Sequence, residues 1–335
     1  MLERLPRVDL LDGPTPFQRL KRLEATTGHR SLWAKRDDVA ALGLGGNKLR
    51  SLEYWIGDAG RQGADILVVA GAPESNQCRL TAATAAKLGL DCLILHGGDP
   101  PAGEVGNLML NRLLGAGIRF LGPVDEAARG RLARQAADAL AAAGRRPYLI
   151  GDPAVGAIGY ARAAEELARQ ARSAGVDLRH VVLPGSMGPT EAGFLYGCAL
   201  LDLDLTVHLV SVEYGADELE RRIAAIVATV EALAGVPAGD WRRRLRIHMD
   251  QLGPGYGRPT PESVAAVRTC ARLEGFFLEH TYTAKTFAGL LRMLGDGTIP
   301  ADQPACFVHT GGVPALFGQV AADPSLVDPS LVELP

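Results

Sequence analysis

The sequence predicts an α/β protein built on mainly parallel sheets that helices cover on both faces. Short β-branched or apolar runs alternate with longer Ala- and Leu-rich segments of helical spacing along the whole chain. The 335 residues are 47% apolar and 22% charged, enough apolar material for a large core and far from the polar profile of disorder. No repeat and no Pro/Ser-rich linker divides the chain into consecutive halves, so a second domain is expected as an insertion.

Taken in order, the run at 66–70 reads as a buried strand, and the segment 75–88 as the helix that follows it. Strands are expected next at 92–95, 118–121 and 147–150, with an Arg-rich helix at 126–143. A helix at 159–174 leads to a strand at 180–183, and a strand at 206–212 to a helix at 217–234. A helix at 261–273 and a strand at 305–309 complete the alternation. Right-handed crossovers then place ligands at the carboxyl ends of the strands. The arginines of 126–146 and the run 241–246 (WRRRLR) read as solvated helix faces without a function of their own.

Composition excludes several classes. A net charge of −3, from 35 basic and 38 acidic side chains, gives no basic field for nucleic acid or anionic lipid. No stretch approaches the roughly 20 apolar residues of a membrane span, and the start MLERLPRVDLLDG has no apolar signal-peptide core, so a cytoplasmic protein is expected. Five cysteines (Cys78, Cys92, Cys198, Cys270, Cys306) without a CxxC pair read as free thiols, and seven scattered histidines without HExxH spacing give no metal site.

Three segments carry chemistry. Arg36-Asp37-Asp38 precedes Gly45-Gly46-Asn47-Lys48-Leu49-Arg50, which sets a lysine between a glycine turn and an amphipathic helix. A lysine held in a desolvated pocket loses enough basicity to form a Schiff base, although the motif alone also suits a surface lysine at a helix start. After strand 66–70, Glu74-Ser75-Asn76-Gln77-Cys78-Arg79 opens a helix, where free N–H groups and hydroxyls face a ligand or simply cap. After strand 180–183, Gly185-Ser186-Met187-Gly188-Pro189-Thr190 suits one phosphate. It is neither GxGxxG nor GxxxxGK[ST], so a nicotinamide dehydrogenase or nucleoside triphosphate enzyme is disfavoured. One activated lysine and one phosphate site point to pyridoxal 5'-phosphate.

Together with Gly13-Pro14-Thr15-Pro16-Phe17, Gly255-Tyr256-Gly257-Arg258-Pro259-Thr260, Thr281-Tyr282-Thr283-Ala284-Lys285 and His309-Thr310-Gly311-Gly312-Val313-Pro314-Ala315-Leu316, the chain resembles the family of 1-aminocyclopropane-1-carboxylate deaminase and D-cysteine desulfhydrase nearly end to end. The resemblance implies pyridoxal-phosphate fold type II, similar to the tryptophan synthase β subunit. Two parallel-sheet domains would hold the cofactor in their cleft: a large one of residues 1–52 and 161–335 and a smaller inserted one of 53–160. It implies that Lys48 binds the cofactor and moves the substrate's proton, that Asn47 and Asn76 lie at the cofactor, and that Ser75, Asn76 and Gln77 face the substrate carboxylate. Gly185, Ser186, Met187, Gly188, Pro189 and Thr190 would form the phosphate cup. Tyr256 and Tyr282 would be the two active-site tyrosines and touch substrate, with Thr283 and Thr310 beside the cofactor. A homodimer is implied as well.

Two departures bear on the cup: Pro189 removes one N–H, and Met187 stands where a small residue is usual. Ser-Asn-Gln resembles the deaminase branch. Thr283 and Thr310 resemble the desulfhydrases, since the deaminase branch has glutamate and leucine there. The expected reaction is α,β-elimination from a small Cβ-substituted amino acid to pyruvate and ammonia. D-Cysteine, losing sulfide, is the first candidate, then L-cysteate, losing sulfite, then ring opening of aminocyclopropane carboxylate. A non-catalytic pyridoxal-phosphate-binding protein is the alternative from another class.

Overall fold

The computed structural model describes residues 4–101 and 103–327. In chain order its elements are β1 (Phe17–Arg19), α1 (Lys21–Thr27), β2 (Leu32–Arg36), α2 (Lys48–Arg61), β3 (Ile66–Gly71), α3 (Asn76–Leu88), β4 (Asp91–His96), α4 (Asn107–Leu113), β5 (Gly117–Phe120), α5 (Glu126–Ala142), β6 (Pro147–Leu149) and α6 (Pro153–Ser173). There follow β7 (His180–Gly185), α7 (Pro189–Leu200), β8 (Thr206–Ser211), α8 (Ala216–Ala234), β9 (Leu245–His248), α9 (Pro261–Glu274), α10 (Thr283–Gly295), β10 (Ala305–His309) and α11 (Val313–Ala322). The strands form two sheets. The larger has the order β1-β2-β10-β7-β8-β9, parallel except for β1 against β2; the smaller, β5-β4-β3-β6, is parallel throughout.

Each sheet is buried on both faces, which is why its central strands read as unbroken apolar runs. Val181, Leu183, Val207 and Leu209 pack on one side of the larger sheet against α6, α7 and α8. Val182 and Val210 pack on the other against α9 and α10. In the smaller sheet Leu67 and Val69 face α2 and α3, while Val68 and Leu95 face α5.

The chain passes between the sheets through α2 and again through α6, and the expected divisions at 52/53 and 160/161 fall inside these two helices. α2 already packs on the smaller sheet from Leu49 onward. The helices cross so closely that a Cβ on Gly159 would lie 2.1 Å from the Arg50 carbonyl oxygen, and one on Gly156 2.4 Å from the Trp55 ring. Beside this crossing lies a buried ion cluster. Arg50 pairs with both Asp37 and Glu166, Lys35 pairs with Glu166, and the hydroxyls of Thr15 and Tyr160 donate to Asp37. The cluster brings together Thr15, Asp37 and the arginine of GGNKLR, while Arg36 and Asp38 pair with each other beside it.

The run 241–246 is not a solvated helix face. Arg242–Arg244 make a short 3-10 turn and Leu245 begins edge strand β9, while buried Arg244 donates to the Leu203 and Asp240 carbonyls and pairs with Asp202.

Candidate active site

A cleft of about 1510 Å³ is lined by residues from both sheets and their helices, among them Lys48, Ser75, Asn76, Gln77, Ser186, Thr190, Glu213, Tyr256, Tyr282 and Thr310. Lys48 is the first residue of α2 and follows an unusual turn: Gly43, Leu44, Gly45 and Gly46 all have positive φ, at 57°, 66°, 65° and 130°. A Cβ on Gly45 would stand 2.3 Å from the Asp38 carbonyl oxygen, so glycine is required there. The Asn47 N–H donates to the Thr310 carbonyl (2.9 Å), which ties the turn to the end of β10. Burial pushes the Lys48 ammonium below its ordinary range, partly offset by Glu191 and Glu213, and among the described residues the amine has no hydrogen-bond partner. It is an uncommitted amine with a lowered affinity for its proton.

Ser75 caps α3, its Oγ accepting the Cys78 N–H at 3.3 Å. Ser75 is therefore a helix cap, and it lines the cleft as well. Asn76 Oδ1 accepts from Asn107 Nδ2 at 3.0 Å, a buried partner on α4 that sequence reasoning missed.

At the end of β7 the Ser186 N–H donates to Glu191 and the Ser186 hydroxyl to Glu213. Asn47 Nδ2 donates to Thr190 Oγ1 at 3.0 Å, which joins this loop to the residue before Lys48. Pro189 is the first residue of α7, where no intrahelical N–H bond is lost and its fixed φ suits the turn. Gly188 has φ 106° and abuts Ile226. Met187 turns outward, with the Tyr214 hydroxyl 3.4 Å from its sulfur. Thus both donors of Ser186 already lie on carboxylates, while the Thr190 hydroxyl accepts from Asn47. Burial raises the Glu191 carboxyl, with Glu213 adding to the rise and the Ser186 N–H and Lys48 opposing it.

The hydroxyls of Tyr256 and Tyr282 hydrogen-bond to each other in the cleft, their rings edge to face at 5.6 Å. Burial raises both phenols, and each also feels Glu213 and Glu279, so both stay protonated donors at neutral pH. Thr283, at the start of α10, is fully buried, and its hydroxyl is held by Glu279, whose carboxylate also caps the N–H groups of Thr281, Tyr282 and Thr283. Thr310 does reach the cleft. Arg129, Arg131 and Arg134 of α5, expected to be solvated, line its outer part, and Glu126 bridges to Arg222 (3.1 Å) and to the Tyr214 hydroxyl (3.0 Å) across it. Glu191, Glu213 and Asn107 carry no local signal; only the fold brings them here.

The residues present fit pyridoxal phosphate: a free amine of lowered basicity, and adjoining it a loop at a helix N-terminus in which the Ser186 N–H and hydroxyl lie on carboxylates. Among the described residues no group of His, Cys, Asp and Glu is arranged to hold a metal ion.

Comparison with known proteins agrees. The family model of the pyridoxal-phosphate dependent enzymes matches residues 8–311. D-Cysteine desulfhydrase of Salmonella paratyphi B is 38% identical over 326 residues, 94% of this chain and 97% of the relative, and that of Salmonella schwarzengrund is 37% identical over the same length. A crystal structure of an ACC deaminase homologue superposes with a TM-score of 0.87 at 31% identity, covering 97% of this chain and 98% of its own. Apo diaminopropionate ammonia lyase of Escherichia coli, at 16% identity and a TM-score of 0.66 over 94% of this chain and 88% of its own, shares the fold. The chain belongs to the pyridoxal-phosphate dependent enzymes, with the two-sheet type II fold.

Proposed function

We propose that this protein is a lyase that eliminates the Cβ substituent of a small amino acid, with D-cysteine as the first substrate and sulfide, ammonia and pyruvate as products. The 38% identity to D-cysteine desulfhydrases across 94% of the chain carries this reading. Bound in the cleft, pyridoxal phosphate would supply an electron sink that acidifies the substrate's Cα–H. Lys48 would hold the cofactor and take the Cα proton on Nζ, a task suited to an amine whose proton affinity burial lowers. Ser75, Asn76 and Gln77 at the start of α3 would bind the substrate carboxylate and orient Cα–H toward Lys48. Ser186 and Thr190 would donate to the phosphate, with Asn47 setting the Thr190 hydroxyl. Of the paired, neutral Tyr256 and Tyr282 hydroxyls, one would donate to the other and the second would present its proton to the departing Cβ group. Residues between α2 and α6 would form the smaller lobe; a homodimer in the cytoplasm is part of this reading, and the five free, buried cysteines suit a reducing compartment.

The test is pyruvate or 2-oxobutyrate release from D-cysteine, L-cysteate, D-serine, β-chloro-D-alanine and aminocyclopropane carboxylate. Fastest turnover of D-cysteine is expected; a preference for aminocyclopropane carboxylate over every Cβ-substituted substrate overturns the reading. Gln77 favours that deaminase reaction as the second reading. Thr310, the one of the two threonines that faces the cleft, decides between them: Thr310→Leu is expected to raise the ratio of deamination to elimination. Absence of turnover with all five, with cofactor bound, would indicate a pyridoxal-phosphate-binding protein instead.

A further inference from the structure

We propose that Arg79 is the positioning residue of the loop that presents Lys48, an inference that rests on Lys48 being the cofactor-bearing amine. Arg79 lies on α3, one turn after Asn76, and is wholly buried. Its guanidinium donates to three successive carbonyls of the turn before Lys48: Nη1 to Gly43 at 2.6 Å and Leu44 at 3.4 Å, and Nη2 to Gly45 at 2.9 Å. It is not among the residues lining the cleft, so its part is to position the turn.

The electrostatics make this arrangement specific. A buried guanidinium is ordinarily matched by a carboxylate, as Arg50 in the first turn of α2 is by Asp37 and Glu166. Among the described residues Arg79 has no acidic partner, and its Nε has no partner of any kind. The carbonyl dipoles of residues 43–45 are what balances the charge. Those carbonyls converge because residues 43–46 all adopt positive φ, including Leu44, whose side chain makes that conformation unfavourable. The cation and the turn therefore require each other: without the turn the guanidinium is unpaired, and without the guanidinium three carbonyls face one another. Beyond the turn, Asn47 is fixed to Thr310 and Thr190, so the direction in which Lys48 leaves the backbone is set from both sides. Because Arg79 sits on the helix whose first residues face the substrate carboxylate, it also fixes the spacing between that helix and the amine.

Arg79→Met and Arg79→Lys, purified with cofactor, test the idea against wild type and Lys48→Ala. D-Cysteine is the kinetic probe. Borohydride reduction followed by peptide mass analysis reports how much cofactor is fixed to Lys48. At a temperature well below melting, Arg79→Met is expected to lower kcat and the fraction of cofactor trapped on Lys48 at least tenfold, with KM changed less than threefold. Arg79→Lys, which keeps a cation on the carbonyls, is expected to recover most of both. Guanidinium ion at millimolar concentration should restore the trapped fraction of Arg79→Ala, and neutral urea should not. Wild-type trapping and kcat in Arg79→Met, or equal loss in the Met and Lys variants, overturns the positioning role. If cofactor in the wild type is trapped on a residue other than Lys48, it is the active-site reading that falls.

Discussion

At the scale of single residues the centre of the cleft is a problem in placing charge. Lys48 is half-buried and, among the described residues, has no hydrogen-bond partner, so its removal relieves a desolvation cost. Lys48→Ala is expected to melt at or above the wild-type temperature while losing the visible absorption of the bound cofactor and at least ~10²-fold of turnover. A melting scan and an absorption spectrum on one sample check both halves. Glu213 presents the opposite case. Its carboxylate accepts from the Ser186 hydroxyl, a donor that a phosphate would also use. Glu213→Gln is expected to tighten cofactor binding severalfold, since it removes a negative charge next to an incoming dianion; titration of the apo variant with pyridoxal phosphate measures this. Lys48 and Ser75 were legible in the sequence because their signals are local: a glycine turn before a helix, and a hydroxyl at a helix start. Arg79 and Glu213 were not, since their partners lie 36 and 27 residues away and only the folded chain brings them together.

At the scale of elements, the long buried strands and Ala-rich helices were readable, whereas β1, β2 and β9 were not. β9 lies at the sheet edge and reads Leu-Arg-Ile-His, with too few apolar positions to stand out. The element that matters most is α2, whose first turn is anchored by the Asp37–Arg50–Glu166 cluster. Burial pushes the Asp37 carboxyl up, but Arg50, Lys35 and the Tyr160 hydroxyl outweigh it and bring it down to about 2. With the folded value below the unfolded one, the stabilisation is complete above pH ~4 and is lost as pH falls toward 2. Asp37→Asn is expected to cost about 3 kcal/mol at pH 7 and to flatten the pH dependence of the urea midpoint between pH 4 and pH 2. The α2–α6 crossing admits no side chain: Gly159→Ala, its Cβ 2.1 Å from the Arg50 carbonyl oxygen, is expected to lose at least ~2 kcal/mol. Gly60→Ala on the exposed side of α2, with nothing within 4 Å, should gain about 0.5–1 kcal/mol. Thermal melts of the two alanine variants give opposite signs.

At the scale of the whole molecule, the cleft is closed at its outer edge by Glu126 of α5, which meets Arg222 of α8 and the Tyr214 hydroxyl. Both charged partners are partly exposed, so the bridge is worth up to ~1 kcal/mol. Glu126→Gln is expected to speed release of the cofactor up to about fivefold, followed by its transfer to an excess of an apo acceptor enzyme, with little change in melting temperature. Where any such movement turns is fixed by the chain's own path. The smaller sheet is an excursion that leaves through α2 and returns through α6, and the exit and the return lie against each other at Gly159 and Arg50. Because both connections cross at that place, a movement of the smaller sheet against the larger is expected to turn about it rather than slide. The mouth of the cleft would then travel furthest, the bridge at Glu126 would sit where leverage is greatest, and Lys48, two residues from Arg50, would stay near the pivot as the mouth opens.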